Sequence, residues 1–464
     1  YVRPPEPGAL YRVHGNLNGA YDVRAIEVRH TVVLTNRAPT GLNRGYGGPQ
    51  FYFALERAVD ELAKELGVDP LELRLRNLIK SFPVEKYGWR FYETPTGGLY
   101  PMQDYVAVVK AIEEEYRKWR EEQRRGRRVG VGVAVLVEPS GTNLGYVDVA
   151  LEAEKRGYPH SGAGEYVEVS VDPSGVVNVF VNATNEGLGH ETVIAEVVAK
   201  ELGISPDEVK VTYRVDTSHT WYLSSGSYSS RFAPVVVSAA ILAARRLKEK
   251  ILEVGAALLK ASKVVFENGV IYDPTDPSRR LTLKRLAAAV HWDPGGLPEG
   301  VDGKLSASVF FQPSVVKAPI GDRVNSSAAY AIQAHLAVVE EVDGEIRLVK
   351  YVVAHDAGRI LKRELLDGQL HGGIHHGVCM ALYESLKYDK DGYLQSLIME
   401  SYGTPDLSHF VGVDISLIHF ETPVGYLPSG AMGSGEGPVM GAPAAVANAV
   451  SDLFKTSIKS LPIW

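Results

Sequence analysis

The feature that most limits how this chain can fold is the dipeptide Asp343-Gly344, set between two long apolar-patterned runs, HLAVVEEV and EIRLVKYVVAHD. Asp-Gly readily adopts the positive φ values of a tight two-residue turn, so the two runs are predicted to pair as an antiparallel hairpin. EYVEVSV and VVNVFVNA flank DPSG and predict a second hairpin. Long helices are expected over Pro234 to Glu253, Glu364 to Leu386 and Ala442 to Lys455. A further strand is expected from Arg24 to Thr35, where β-branched and charged residues alternate. Strands and helices are interspersed without a regular βαβα alternation, so the fold class is α+β.

Helix punctuation adds detail. The turn-rich stretch Asn36 to Gln50 leads into FYFALERAVDELAKELG, which Gly67 stops. Asp69-Pro70-Leu71-Glu72 then reads as an N-cap, a proline at the first helical position and a capping-box glutamate. The arrangement returns where VVAKELG ends at Gly203 and Ser205-Pro206-Asp207-Glu208 follows. That echo suggests an elongated molecule of two related subdomains. A charged helix from about Asp104 to Arg125 is expected to separate two lobes.

Composition excludes several classes of function. The chain has 464 residues, 45% hydrophobic and 23% charged, an ordinary balance for two to four globular domains. A net charge of −7 gives no electrostatic reason to bind nucleic acid. The basic run Arg124-Arg125-Gly126-Arg127-Arg128 reads as a solvated helix end. No apolar run reaches the ~18 residues of a membrane span, and YVRPPEPGAL lacks the apolar core of a signal peptide. The lone cysteine, Cys379, rules out a disulfide framework and a Cys-ligated iron–sulfur cluster within these residues. Scarce thiols agree with a cytoplasmic location, and the abundance of Glu, Arg, Val and Tyr hints at a thermophilic source. Because the chain starts at Tyr1, an upstream piece is expected.

Four glycine- or hydroxyl-rich segments precede helices: Arg44 to Gln50, Thr184 to His190, Ser224 to Ser230 and Gly430 to Pro438, the last separated by a short turn from the helix APAAVANAV. Each has a bland reading as a helix cap. Helix N-termini also leave N–H groups unpaired and suit anionic oxygens, and glycines let a ligand approach the backbone. Four such turns fit a cofactor with several anionic groups. Within the fourth, Glu436 has no basic residue within five positions, and is either a solvated turn residue or a dry carboxylate basic enough to take a proton near neutral pH. His371 and His375 stand one helical turn apart, but no carboxylate or cysteine completes an obvious metal site, so no protein-ligated metal is expected. Too few residues follow GSGEG for a Rossmann unit, and no nucleophile elbow stands out.

Taken together, these segments resemble the large subunit of the molybdenum hydroxylases, the family of xanthine dehydrogenase, aldehyde oxidoreductase and carbon monoxide dehydrogenase. RGYGGPQ resembles the family's RGFGGPQ turn, and GLGHET its GQGHET helix start. HDAGRILKRELLDGQLHGGIHHG resembles DCGRxxNPxxxxGQxxGGxxQG, and GSGEGPVMGAPAAVANAV resembles GxGExxxxGAPxAxxNA. The resemblance runs from about Tyr21 to Phe454.

It implies a molybdenum-bearing molybdopterin, in its cytosine dinucleotide form, whose metal is held by the pterin dithiolene. Glu436 matches the base that takes a proton from the metal's hydroxyl during oxidation of an aldehyde or N-heterocycle, water being the oxygen source. Tyr46 matches an aromatic that packs on substrate. Arg44, Gly45, Gly187, Gly189, Ser227, Ser229, Ser230, Gln369, Ser434 and Gly435 match cofactor-contacting positions. Gly45 stands where the carbon monoxide enzymes carry a copper-holding cysteine, which argues against that substrate.

Leu188, Lys362, His376 and Met432 depart from the family's Gln, Asn, Gln and Lys. They motivate an alternative, a structural subunit that kept the fold and lost the cofactor. The resemblance divides the chain into the end of a first cofactor-binding domain (1–80), a helical connector (81–128) and a second cofactor-binding domain (129–464). It implies partner chains carrying the upstream molybdenum-domain region, a [2Fe–2S] cluster and FAD, together with a small-molecule substrate.

Overall fold

The computed structural model describes residues 12–29, 31, 33, 35, 43–149, 151–157, 163–213 and 226–463. Parts of three expected features lie outside them: residues 30, 32 and 34 of the first strand, 36–42 of the turn that follows, and Ser224 and Ser225 of the third segment. The chain forms two compact units, 1–159 with 314–424 and 431–464, and 160–313 with 425–430.

In chain order the first unit carries α1 (Gly48–Leu66), α2 (Pro70–Asn77), β1 (Val84–Lys86), β2 (Trp89–Glu93), β3 (Leu99–Pro101), α3 (Tyr105–Lys110), α4 (Glu113–Arg124) and β4 (Val129–Ser140). The second unit holds β5 (Glu165–Val171), β6 (Val177–Val181), α5 (His190–Leu202), β7 (Val209–Tyr213), α6 (Val237–Leu259), β8 (Val265–Glu267), β9 (Val270–Asp273), β10 (Asp276–Thr282), α7 (Leu283–Trp292) and β11 (Ser306–Phe311). The first then resumes with β12 (Ala329–Val342), β13 (Glu345–Asp356), α8 (Arg363–Leu382), β14 (Asp414–Phe420) and α9 (Gly437–Phe454). The mixture is α+β, as expected.

The sheet that positions the site has the order β14-β13-β12-β4. The β12–β13 hairpin turns at Asp343 (φ 54°) and Gly344 (φ 83°), the two positive φ values its sequence calls for. All twelve residues of β4 are buried although it ends the sheet order, because α9 lies across it. That approach depends on two glycines. A Cβ on Gly130 would lie 2.0 Å from the Ala449 carbonyl oxygen, and one on Gly132 would lie 2.2 Å from that of Ala445. The same economy of side chains joins α8 to α9, where a Cβ on Gly373 or Gly377 would come within 2.7 Å of Pro438 or Ala442. Apolar residues including Val131, Val135, Ile332 and Leu336 pack in the core of this unit.

In the second unit the sheet is β11-β5-β6-β7, and the DPSG hairpin forms as β5–β6. Its Val167, Val169 and Val179 pack with Ile194 of α5 and Ala240, Ala244 and Leu247 of α6. A small antiparallel sheet, β10-β9-β8, completes the unit's strands.

Several expectations need correction. Among the described residues from 24 to 35 none is in a strand, and Val28 and Val33 are exposed. Alternation supplies two faces, but a strand also needs neighbours for its N–H and C=O groups. The one isolated bridge nearby, Tyr21 to Leu78, precedes the stretch. Residues 81–128 are helical only in their second half, since 84–101 form the sheet β1–β2–β3. The expected Asp104–Arg125 helix is two helices within the first unit, and the change of unit comes at residue 160. α6 starts at Val237 after a π-turn, α8 ends at Leu382, and α9 begins at Gly437 with no intervening turn.

The helix echo holds at its ends. α1 and α5 each follow a left-handed glycine (Gly47, Gly189) and stop at another (Gly67, Gly203). The second half differs: α2 is a helix, whereas Pro206–Glu208 is a single 3-10 turn. Ser205 and Glu208 complete a capping box, while Glu72 pairs with Arg76 instead of returning to Asp69. The basic run behaves as a helix end, its arginines exposed and paired with Glu121, Glu122, Glu340 and Glu341.

Candidate active site

The Gly430–Gly435 turn delivers Glu436 to the N-cap of α9. Its side chain is mostly buried (12% exposed) and pairs with Arg12, itself 3% exposed. The expectation of a carboxylate without a cationic partner is therefore corrected. Arg12 lies 424 residues away in sequence, beyond the reach of any local window. Its guanidinium also donates to the carbonyls of Gly45 (2.9 Å), Tyr46 (3.3 Å) and Pro139 (3.4 Å). One side chain thus pins the RGYGG turn and the end of β4 to the glutamate.

A second arginine joins the turn to α8. Arg44 Nε donates to the Gly435 carbonyl (2.6 Å), and Nη2 to Gln369 through its carbonyl (3.0 Å) and its Oε1 (3.1 Å). Burial lowers the Arg44 pKa, opposed by the charges of Glu138 and Glu436. Arg44, Gly45, Gln369, Ser434, Gly435 and Glu436 are brought together in the first unit, with Tyr46 half-buried on the same turn. Gly45 (φ 87°) has the conformation that favours glycine.

Sequence reasoning missed Glu138. This residue of β4 is fully buried, and its carboxylate accepts from the backbone N–H of Glu436 (3.0 Å) and of Gly437 (2.6 Å). It therefore caps α9 from outside the helix, satisfying two N–H groups that a helix start leaves unpaired. Gln333 donates from Nε2 to Glu138 Oε2 and to Ser434 Oγ, both at 3.1 Å. Pairing of β4 with β12 brings Glu138 and Gln333 into reach. A single glutamate in VGVGVAVLVEPS was the available signal: an acid ending an otherwise apolar run.

The other matched positions lie in the second unit. Ser229 (φ 57°) and Ser230 (φ 45°) are successive left-handed residues without being glycine. Such backbone costs about 1–2 kcal/mol per residue and tends to persist at functional turns. Arg231 fixes that turn from beneath: fully buried, it pairs with Glu165 (2.8 Å) and donates to the carbonyls of Gly226 (2.9 Å) and Gly164 (2.7 Å). Gly187 (φ 78°) and Gly189 (φ 72°) shape the approach to α5, which starts without a side-chain cap. Ser227 donates its N–H and its hydroxyl to the Glu186 carboxylate. His190, stacked on Phe232 with ring centroids 3.7 Å apart, is pushed down by burial to a pKa of about 4.

The histidines of α8 point to separate partners. His371 Nδ1 lies 2.8 Å from the Asp367 carbonyl, His375 packs on Phe410, and the described residues include no metal-binding cluster.

Comparison with known proteins places this arrangement. The family described as molybdopterin cofactor-binding domain matches residues 107–410, and a second of the same description matches 1–78. The chain belongs to the molybdenum hydroxylases. It is 30% identical to the nicotine 6-hydroxylase large subunit of Paenarthrobacter nicotinovorans, over 94% of this chain and 51% of that protein. With the carbon monoxide dehydrogenase large chain of Hydrogenophaga pseudoflava it shares 27% identity, over 97% of this chain and 53% of the other. The chain thus spans about half the length of the curated relatives it matches. Quinoline 2-oxidoreductase from Pseudomonas putida 86 has the same fold, with a TM-score of 0.82 and 26% identity over 98% of this chain and 56% of that one.

The residues present fit the molybdopterin of this family. Among the described residues, Arg44 Nη1 and Gln369 Nε2 donate to no protein acceptor. They stand beside a bare stretch of α8: a Cβ on Gly368 would meet nothing within 4 Å, and one on Gly372 only Arg44 Nη1 at 3.8 Å. That is a cradle for a polar group approaching the helix backbone. In the second unit the Ser227 donors are taken by the Glu186 carboxylate.

Proposed function

We propose that this chain is the molybdenum-cofactor-binding part of a multi-subunit hydroxylase that oxidises an N-heterocycle or an aldehyde with oxygen from water, with Glu436 as the base. The observation that carries this reading is the Glu436 carboxylate at the start of α9, tied by Arg12 to the RGYGG turn, with Arg44 linking the preceding Gly435 to Gln369 of α8.

In the first unit Arg44, Gly45, Gln369, Ser434 and Gly435 would hold the cofactor; for Gly187, Gly189, Ser227, Ser229 and Ser230 the family resemblance implies a cofactor contact. When bound, the molybdenum–pterin group supplies the redox chemistry and the activation of water. The chain's own residues supply orientation and a proton acceptor. Arg12 pairs with Oε2 of Glu436, which fixes the carboxylate. Glu138 takes the N–H groups at the head of α9, so the Glu436 side chain need not cap its own helix. Tyr46 packs on the substrate.

The names nicotine 6-hydroxylase and quinoline 2-oxidoreductase support an N-heterocyclic substrate for this chain. Gly45 argues against carbon monoxide, because a cysteine there would need a left-handed backbone and its Cβ would press Pro49 at 3.1 Å. We assign the cofactor the cytosine dinucleotide form and place the [2Fe–2S] cluster and FAD on partner chains.

The test is Glu436→Gln in the assembled protein. Molybdenum content stays at the wild-type level, and turnover falls by roughly 10²–10⁴, the range for loss of an acid–base group. Full turnover with full metal would remove Glu436 from the mechanism.

A further inference from the structure

A row of buried polar side chains crosses the main sheet, where apolar residues would pack at less cost. The strand registers align Gln333 of β12 with His355 of β13, and His355 with His419 of β14. Gln333 and His355 are fully buried, and the His419 side chain is 4% exposed. Ser434 Oγ lies 3.4 Å from His355 Nδ1, and His355 Nε2 lies 2.8 Å from His419 Nδ1. His419 Nε2 lies 2.9 Å from Asp367 Oδ1, at an angle too oblique for a hydrogen bond. Asp367 is on α8 and 32% exposed, so the row starts two residues from Glu436 and ends at solvent.

One pattern of donors satisfies every hydrogen bond along the row. Gln333 has an amide that donates to both Glu138 and Ser434, so the serine oxygen accepts there and its proton points to His355 Nδ1. His355 is then the Nε2–H tautomer and donates to His419 Nδ1. His419 is in turn Nε2–H, facing the Asp367 carboxylate. The far end agrees: the Tyr351 hydroxyl donates to His335 Nδ1 (2.9 Å), and His335 Nε2–H faces Gln333 Oε1 (3.3 Å). Burial holds both relay imidazoles neutral, lowering His355 to about 3 and His419 as well. The charged groups acting on His419 are Arg363, Asp367 and Glu421.

We infer that Ser434, His355, His419 and Asp367 form a proton exit from the catalytic turn. The inference rests on the function proposed above. Hydroxylation of a C–H carbon with water releases two protons and two electrons, and the electrons leave to the iron–sulfur partner. A proton reaching Ser434 Oγ displaces the hydroxyl proton onto His355 Nδ1. The Nε2 proton of His355 passes to His419 Nδ1, and that of His419 Nε2 to Asp367. Asp367 releases one proton to solvent for each that enters. Both rings are left as the Nδ1–H tautomer and reset by turning, which the off-axis contact to Asp367 also requires before transfer. His355 and His419 are relay residues, not catalytic ones.

The test uses the assembled, molybdenum-loaded protein. His419→Gln can hydrogen-bond but cannot pass a proton, and His419→Ala leaves room for added imidazole. Expected for both are wild-type molybdenum content, turnover at least tenfold lower and a larger solvent deuterium isotope effect, with the melting temperature kept in the glutamine variant and lowered in the alanine one. Free imidazole restores the alanine variant and not the glutamine one. Independently of turnover, ¹⁵N-imidazole NMR, with both rings assigned by substitution, reads neutral Nε2–H tautomers for His355 and His419 at pH 7. Wild-type turnover in both variants, alongside an inactive Glu436→Gln, overturns the exit and leaves the base standing. An Nδ1–H or doubly protonated resting ring overturns it whatever the turnover. If Glu436→Gln is itself fully active, the base reading fails, and tautomer state and imidazole rescue decide the exit alone.

Discussion

Replacing Glu138 with alanine tests the local architecture most directly, because its consequences follow from three contacts of its carboxylate. The carboxylate accepts from Glu436 N at 3.0 Å, Gly437 N at 2.6 Å and Gln333 Nε2 at 3.1 Å, in a site closed to solvent. Hydrogen bonds to a charged group contribute about 1.5–3 kcal/mol each, and a buried donor left without a partner costs about 1–3 kcal/mol. Gln333 keeps Ser434 as an acceptor, so the main loss falls on the two backbone N–H groups, roughly 2–5 kcal/mol together. The strain concentrates at the first turn of α9 and should appear there first. Hydrogen exchange of the peptide spanning residues 434–441 in the assembled protein reads it. A local loss of about 2 kcal/mol speeds exchange roughly thirtyfold. Turnover falls with it, since the backbone carrying Glu436 is no longer held, and Glu138→Gln, with one acceptor oxygen left, falls between. Wild-type exchange and melting in Glu138→Ala would refute the capping role and the positioning argument built on it.

Two further outcomes are expected in stability experiments. His335 and His355 are both held near a pKa of 3 by burial, against an ordinary value of 6.5, so between those limits the unfolded chain binds more protons than the folded one. Stability is therefore full above pH 6.5 and declines on acidification, by roughly 2–3 kcal/mol for the pair between pH 6 and pH 5. Denaturant titrations across that range check it, and a flat profile in which His335→Gln also changes nothing would contradict it. Gly132→Val places a side chain where a Cβ already meets the Ala445 carbonyl at 2.2 Å, so α9 must lift from β4. The loss is on the order of 3 kcal/mol or more, seen as a lower melting temperature together with lost turnover; an unchanged melting curve would show that the contact yields.

What could be read from the sequence was whatever is local. Asp343-Gly344 signals its hairpin because the turn's φ values are set by two adjacent residues. The glycine boundaries of α1 and α5 were visible for the same reason. β4 escaped because both of its faces are buried, which removes the alternation that marks a strand. Among the described residues, the stretch from Arg24 alternates without a strand to pair with it, so it misled in the opposite direction. At the site, resemblance picked out Arg44, Gln369, Ser434 and Glu436. Arg12 and Glu138 carry no motif, and their partners lie 424 and 298 positions away. Nothing in the residues around Glu436 could reveal that its charge is answered from the opposite end of the chain.

The division of the first unit sets a timetable for biosynthesis. β4 runs beside β12, with Val129 opposite Glu340, so its hydrogen-bonding partner emerges from the ribosome some two hundred residues later. At about 5–20 residues per second that wait lasts roughly 10–40 s, during which an apolar strand and the 84–101 sheet must avoid wrong partners while the second unit is made. The turn bearing Glu436 comes later still, after β12, β13, α8 and β14. A nascent polypeptide that has not yet reached α9 therefore lacks both the carboxylate that pairs with Arg12 and the helix that covers β4.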